Sequence, residues 1–249
     1  MARRDALLAS AALLILWQAA AMLARTNVLP APGAVLWALC QEAPHSLGKH
    51  FLASTARVLA STALAVSLGA PVGLLLGQSQ RLNRLFSPIV YILYPIPKIV
   101  FLPIILLLLG IGDAAKVFII WLVLFFQVLV VVRDAAAGLR PELIYSVRSL
   151  GAGRLALFRF VYLPATLPAV LTALRLSVGT AVAVLFFAES FATTAGLGYY
   201  IFVETWTRLA YAEMYAGVVA MSLLGLGLYF LIDSLERKLC PYLFLEWGA

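Results

Sequence analysis

The chain has 249 residues, 64% of them hydrophobic and 12% charged, with a mean hydropathy of +1.02. A soluble domain carries about 45–50% apolar and 25% charged residues, so this composition excludes a water-soluble globular fold and defines an all-α polytopic membrane protein. At about 20 apolar residues per span plus loops, the length accommodates about six transmembrane helices. The net charge of +7 would suggest nucleic acid in a soluble chain; here no nucleic acid is expected, because arginines gathered on one membrane face account for it.

Residues 1–24 open with Arg3-Arg4 and continue as an apolar run. The run is too long for the h-region of a signal peptide and no clear small-residue cleavage site follows, so an uncleaved first span is expected. Residues 25–50 are polar and hold Pro30, Pro32 and Pro44. They read as an outside loop with a short interfacial helix over 35–41, where Trp37 suits the headgroup level. The second span, 52–76, is entered through Ser54 and Arg57 and carries Gly69, Gly73 and Gly77 on one face, where another backbone can approach closely. Residues 78–86 read as a return loop bearing Arg81 and Arg84.

The third span, 88–110, holds Pro95, Pro97 and Pro103 around Lys98. Prolines remove backbone donors and bend a helix, and a charge beside such a break points to a cavity. Lys98 can attract an anion, pair with Glu189, or bond the carbonyls freed by the prolines. Residues 113–116 read as a turn, 117–132 as the fourth span and 167–188 as the fifth, with Arg175 near enough to one face to snorkel. Glu189 follows as a gate or a hydrated carboxylate. Residues 191–211 form a glycine-broken aromatic lip, and 214–232 the sixth span, before Glu236-Arg237-Lys238.

This order places Arg3, Arg4, Arg81, Arg84, Arg133, Arg140, Arg148, Arg154, Arg159, Arg237 and Lys238 inside, and Arg25, Lys49, Lys116 and Arg208 outside. Such an asymmetry satisfies the positive-inside rule with both termini cytoplasmic. Cys40 and Cys240 have no redox or metal spacing, and His45 and His50 read as loop histidines. Gly48-Lys49 lacks the remainder of a phosphate-binding loop. No Ser-His-Asp or paired-carboxylate constellation is visible, and no metal site is expected.

Residues 145–168 are too basic to stay in lipid: Arg148, Arg154 and Arg159 would each cost about 2.5–3.5 kcal/mol at a bilayer centre. Helices are predicted over 140–150 and 154–162, separated by the hinge Gly151-Ala152-Gly153. Pro164 is expected to end the second helix by turning Leu163 away from helical angles, and Leu155, Phe158 and Val161 or Tyr162 to share one face. A helix–hinge–helix on a membrane surface suits insertion into a groove of a soluble partner.

Gly151, nine residues, Val161, one residue, then Leu163-Pro164 resembles the cytoplasmic loop of bacterial ABC-importer permeases. In that family the loop reads Glu-Ala-Ala-x3-Gly-x9-Ile-x-Leu-Pro and docks onto the ATPase; here Tyr145-Ser146-Val147 stands in place of the opening triplet. The proline-rich third span with Gly110-Ile111-Gly112, and Ala188-Glu189 with Gly196-Leu197-Gly198-Tyr199, resemble the nitrate/sulfonate/taurine branch. The resemblance covers roughly residues 50–240. It implies an N-terminal span and outside loop over 1–50, a type I ABC-importer transmembrane domain over 51–240 with coupling helices at 134–163, and a cytoplasmic tail over 241–249.

It further implies a bacterial inner-membrane location, a homodimeric second permease copy, an ABC ATPase dimer, and a periplasmic or lipid-anchored solute-binding protein. ATP and Mg would sit on the ATPase, with no cofactor on this chain. The expected ATPase-coupling residues are Tyr145, Arg148, Leu150, Gly151, Leu155, Phe158, Leu163 and Pro164. Pro95, Pro97, Lys98 and Glu189 are the expected pathway or gate residues, and the solute a small anion such as a sulfonate, nitrate or bicarbonate. The alternative is an ion-coupled secondary transporter or channel built on Lys98 and Glu189. Against it, only one span is proline-broken, where inverted repeats would supply a pair.

Overall fold

The computed structural model describes residues 3–243 apart from Ala192; Met1, Ala2 and residues 244–249 of the expected tail lie outside the described residues. In chain order the helices are α1 (Arg3–Ala24), α2 (Pro32–Glu42), α3 (Gly48–Gln78), α4 (Gln80–Leu93), α5 (Leu102–Leu109), α6 (Asp113–Ala137), α7 (Pro141–Ser149), α8 (Arg154–Leu157), α9 (Leu163–Ser190), α10 (Leu197–Tyr199) and α11 (Tyr211–Leu239). Every expected span is helical, the third being split between α4 and α5. Four stretches are long and apolar enough to cross a membrane: Pro32–Gln78, Asp113–Ala137, Leu155–Ser190 and Tyr211–Leu239. A fifth is the pair Gln80–Leu93 and Lys98–Leu109, bent by 76° at the predicted proline break. The apolar part of α1, Leu8–Ala24, is shorter and sits at the low end of the roughly 17–25 residues a span needs.

Several expected loops are helix instead. Residues 32–50 are helical almost throughout, because α2 passes through one wide turn at Ala43–Leu47 into α3. Pro44 sits at the start of that turn, whose i→i+5 geometry accommodates an irregularity a regular helix would not. The expected return loop at 78–86 contracts to Ser79, whose Oγ accepts from the Leu82 amide at 3.4 Å as an N-cap. Residues 113–116 are the first turn of α6, with Asp113 at the positive end of its dipole.

Pro164 does not end a helix either. α8 continues through a wide turn at Phe158–Tyr162 into α9, and Leu163 keeps helical angles while its N–H donates to the Phe158 carbonyl five residues back. Pro164 thus lies in the opening turn of α9 and inside the continuous stretch Leu155–Ser190. The wide turn supplies the backbone adjustment a proline needs in a continuing helix.

The chain forms two compact units, residues 1–55 with 186–224, and residues 56–185 with 225–249. In the first, Val35, Ala38 and Ala216 form a small core, Trp17 stacks on Tyr215, and its indole N–H donates to the Pro30 carbonyl at 3.1 Å. In the second, the glycines of α3 lie against α6 as expected. A Cβ at Gly73 would fall 2.6 Å from the Leu129 carbonyl oxygen, and one at Gly77 2.5 Å from that of Arg133. Ala70, Leu74, Val128, Val132, Leu171 and Ile232 fill the core beside this seam.

Three arginines of the second unit are paired with carboxylates. Arg57 reaches Asp113 Oδ1 at 2.6 Å, and Arg133 pairs with Asp134 at 2.8 Å. Arg175 joins Glu236 and Asp233 in an ion cluster, a protein partner beside the snorkelling expected for it. In a medium of low dielectric, pairing is the cheaper way to keep a charge.

Candidate functional site

The basic stretch folds as two short helices about a glycine turn. α7 starts at Pro141, where the missing N–H is one of the unbonded ones in any case. Gly151 has φ +82° with nothing within 4 Å of a Cβ built on it, so it is backbone conformation that calls for glycine. Leu157 and Val161 point into the protein, while Leu150 is 86%, Leu155 79% and Tyr145 64% exposed. Phe158, Phe160 and Leu163 are also exposed. Leu155 and Phe158 are exposed together as expected, whereas Val161 turns inward with Leu157, four residues before it. Beside these helices, Arg148, Gln78, Arg81, Leu157 and Tyr162 line a cavity of about 630 Å³. Tyr242 donates to the Pro164 carbonyl at 2.7 Å.

At the α4–α5 break, Lys98 is 9% exposed. Its ammonium donates to the carbonyls of Leu93 at 2.9 Å and Tyr94 at 2.6 Å. Leu93 is the residue whose carbonyl Pro97 cannot bond in helical register, so the lysine replaces the donor that proline removes. The Nζ lies 4.6 Å from the Phe126 ring centroid. An ammonium has three donors, and the third has no acceptor among the described residues. Lys98 lines a cavity of about 310 Å³ with Tyr94, Phe126, Gln127 and Thr180, and the Gln127 Oε1 is buried without a hydrogen-bond partner.

Glu189 is fully buried, so the hydrated carboxylate read from its place at the end of a span is overturned. The chain after it folds back over the carboxylate. Gly198 N–H donates to Glu189 Oε2 at 3.1 Å and Ser54 Oγ to the same oxygen at 2.7 Å. Leu197 N–H donates to Ser54 Oγ at 2.8 Å, and Gly196 N–H to His50 Nδ1 at 3.0 Å. A Cβ on Gly196, whose φ is +124°, would collide with the carboxylate. The glycines of Gly196-Leu197-Gly198 thus let the backbone reach Glu189.

His50 and Glu204, absent from the sequence-based set, extend this network. His50 is buried rather than in a loop. Because Nδ1 accepts from Gly196, the ring proton belongs on Nε2, which lies 3.2 Å from Glu204 Oε1 and from Ser46 Oγ. Ser46 donates to Glu204 Oε2 at 2.9 Å. The overlooked signal is spacing: Ser46, His50 and Ser54 stand four apart, which on a helix makes one polar stripe. Among the described residues no group of three or more His, Cys, Asp or Glu could hold a metal ion.

A helical chain with a proline-broken span and an exposed apolar helix–hinge–helix suits a membrane permease. The comparisons agree: residues 69–241 match the family described as binding-protein-dependent transport system inner membrane component. The chain belongs to that family, the membrane-spanning permeases of ABC importers. It is 31% identical over 197 residues to the taurine transport system permease protein of Escherichia coli strain K12, covering 79% of this chain and 71% of that one. It is 28% identical over 231 residues to the formylaminopyrimidine transport permease protein of Halalkalibacterium halodurans, covering 92% of each. A third relative, a putative aliphatic sulfonates transport permease protein of Bacillus subtilis, is 28% identical over 239 residues, covering 95% of this chain and 86% of that one. The fold is that of the inward-facing MetNI methionine ABC transporter, with a TM-score of 0.66 and 23% identity over 78% of this chain and 95% of the other. These matches do not favour an ion-coupled secondary transporter.

Proposed function

We propose that this permease forms the pathway for a small anion of the sulfonate class, delivered by a periplasmic or lipid-anchored solute-binding protein. A separate ABC ATPase dimer, holding ATP and Mg, supplies the energy, and a second copy of the chain completes the pathway. Two of the relatives named above carry taurine and aliphatic sulfonates in their names, which supports the solute class. The positive-inside charge distribution supports a cytoplasmic position for both termini and for residues 134–163.

One observation carries the coupling role: exposed Tyr145 and Leu150 on α7 and its end, and exposed Leu155 and Phe158 at the start of the helix that runs on into α9, flank the Gly151 turn. Large apolar side chains on a water-facing hinge are costly unless a partner covers them. Closure of the ATPases would push this knob, with Arg148, Gly151, Leu163 and Pro164 holding its shape. α9 would carry the displacement toward Glu189, and the break at Pro95 and Pro97 would absorb the bending. Lys98, with one donor uncommitted in a cavity, is the residue to meet a passing anion.

Co-purification tests the reading. A soluble ATPase is expected to travel with the chain in mild detergent. Leu150→Asp combined with Leu155→Asp should release it without reducing the amount of chain in the membrane. Full retention of the ATPase by that double variant would refute the coupling assignment.

A further inference from the structure

Within the unit of residues 1–55 and 186–224, a cavity of about 470 Å³ is lined by Glu42, Ser46, Tyr200, Glu204, Arg208 and Glu213. Three carboxylates here face one guanidinium. Arg208 donates its Nε–H to the backbone carbonyl of Glu204 and forms no ion pair among the described residues. Glu204 is held by Ser46 and His50. Glu42 and Glu213 have neither a hydrogen bond nor an ion pair among the described residues, so the cavity keeps an excess of negative charge.

Tyr200 is the independent sign that something belongs there. It is 2% exposed, its ring is fixed against Gly217, where a Cβ would fall 2.9 Å from Cδ1, and its hydroxyl is buried without a hydrogen-bond partner. Burial first, and then the charges of Glu42, Glu213 and Glu204, push the phenol above its ordinary range. The hydroxyl therefore stays neutral and lies within the field of all three carboxylates. A buried hydroxyl without a partner is a lost interaction that a ligand donor restores.

We propose that this cavity is a binding site for an ammonium or guanidinium group, held between Glu42 and Glu213 and donating to the Tyr200 hydroxyl oxygen. The carboxylates do not converge as metal ligands do, which favours a larger cation with several donors over a bare divalent ion. The volume falls within the roughly 300–1,000 Å³ of small-molecule sites. The same field repels a sulfonate, so the site is separate from the anion path proposed above and does not depend on it. The cation belongs either to a free solute or to a lysine side chain presented by another polypeptide.

Calorimetric titration of the full chain in lipid nanodiscs tests the site, with methylguanidinium and propylammonium as probes and methanesulfonate as the anionic control. Both cations should bind saturably and the anion should not. Glu42→Gln with Glu213→Gln should weaken cation binding at least tenfold, and Tyr200→Phe several-fold. Arg208→Gln, which removes a competing cation, should strengthen it. Equal binding by the double glutamine variant, weaker binding by Arg208→Gln, or an equal response to methanesulfonate would each overturn the proposal.

Carbodiimide coupling on intact cells, followed by peptide mapping, separates the two sources. An amide between Glu42 or Glu213 and a lysine of another polypeptide, competed away by propylammonium, assigns the site to a protein side chain. Amide formation with added propylammonium alone assigns it to a free solute. Coupling to neither rejects the site.

Discussion

Glu189 takes its meaning from Ser54 on α3 and from the Gly198 amide, which donate to it, and from the Gly196–Gly198 turn that closes over the end of α9. A carboxylate at the end of an apolar run reads as hydrated because nothing local argues otherwise; the fold-back of a glycine pair decides the matter. Truncation to alanine would strip acceptors from Ser54 and the Gly198 amide. Glu189→Ala should therefore lose about 2–3 kcal/mol of stability, whereas Glu189→Gln keeps an acceptor oxygen and should lose clearly less. Thermal unfolding in mild detergent reads the order; an alanine variant as stable as the wild type would contradict the buried network. Lys98 was more legible, because a lysine beside Pro97 has an obvious use for its donors.

At the scale of elements, the helices themselves follow from apolar run lengths and from prolines placed where a helix tolerates them. Their ends do not. Pro44 reads as part of a loop and Pro164 as a terminator, and both lie in or beside a wide turn that lets the helix continue. A turn of that kind leaves no compositional mark, so the rule for proline alone gives the wrong answer. The hinge at Gly151 was readable, since a glycine between two short helical patterns supplies the positive φ such a turn requires. Open space surrounds it, so Gly151→Ala should cost only the left-handed strain, about 1–2 kcal/mol. That variant should retain measurable uptake. Gly151→Pro, unable to reach positive φ, should abolish uptake while membrane insertion continues. Uptake at the wild-type rate by the proline variant would show that the turn plays no part in coupling.

For the molecule as a whole, charge asymmetry predicts the orientation and Cys40 offers a probe of it. Cys40 is exposed and Cys240 buried. A membrane-impermeant maleimide applied to spheroplasts should modify Cys40; labelling of Cys40 only after the membrane is permeabilised would invert the topology. The overall class was legible because composition and span length are set by the bilayer itself. The polar interior of the first unit was not, since its partners lie about 150 residues apart in sequence.

The seam between α3 and α6 bears on how such a molecule can move. Its contact is made by backbone against backbone, with Gly69, Gly73 and Gly77 each admitting one feature of the facing helix. Indentations of this kind act like teeth on a rack. A small relative slip would drive a side chain into a carbonyl oxygen, and the next matching register lies four residues on, about 6 Å along the axis. Intermediate positions are sterically closed, so during a transport cycle these two helices travel together, and the deformation must be taken up where the chain is already irregular.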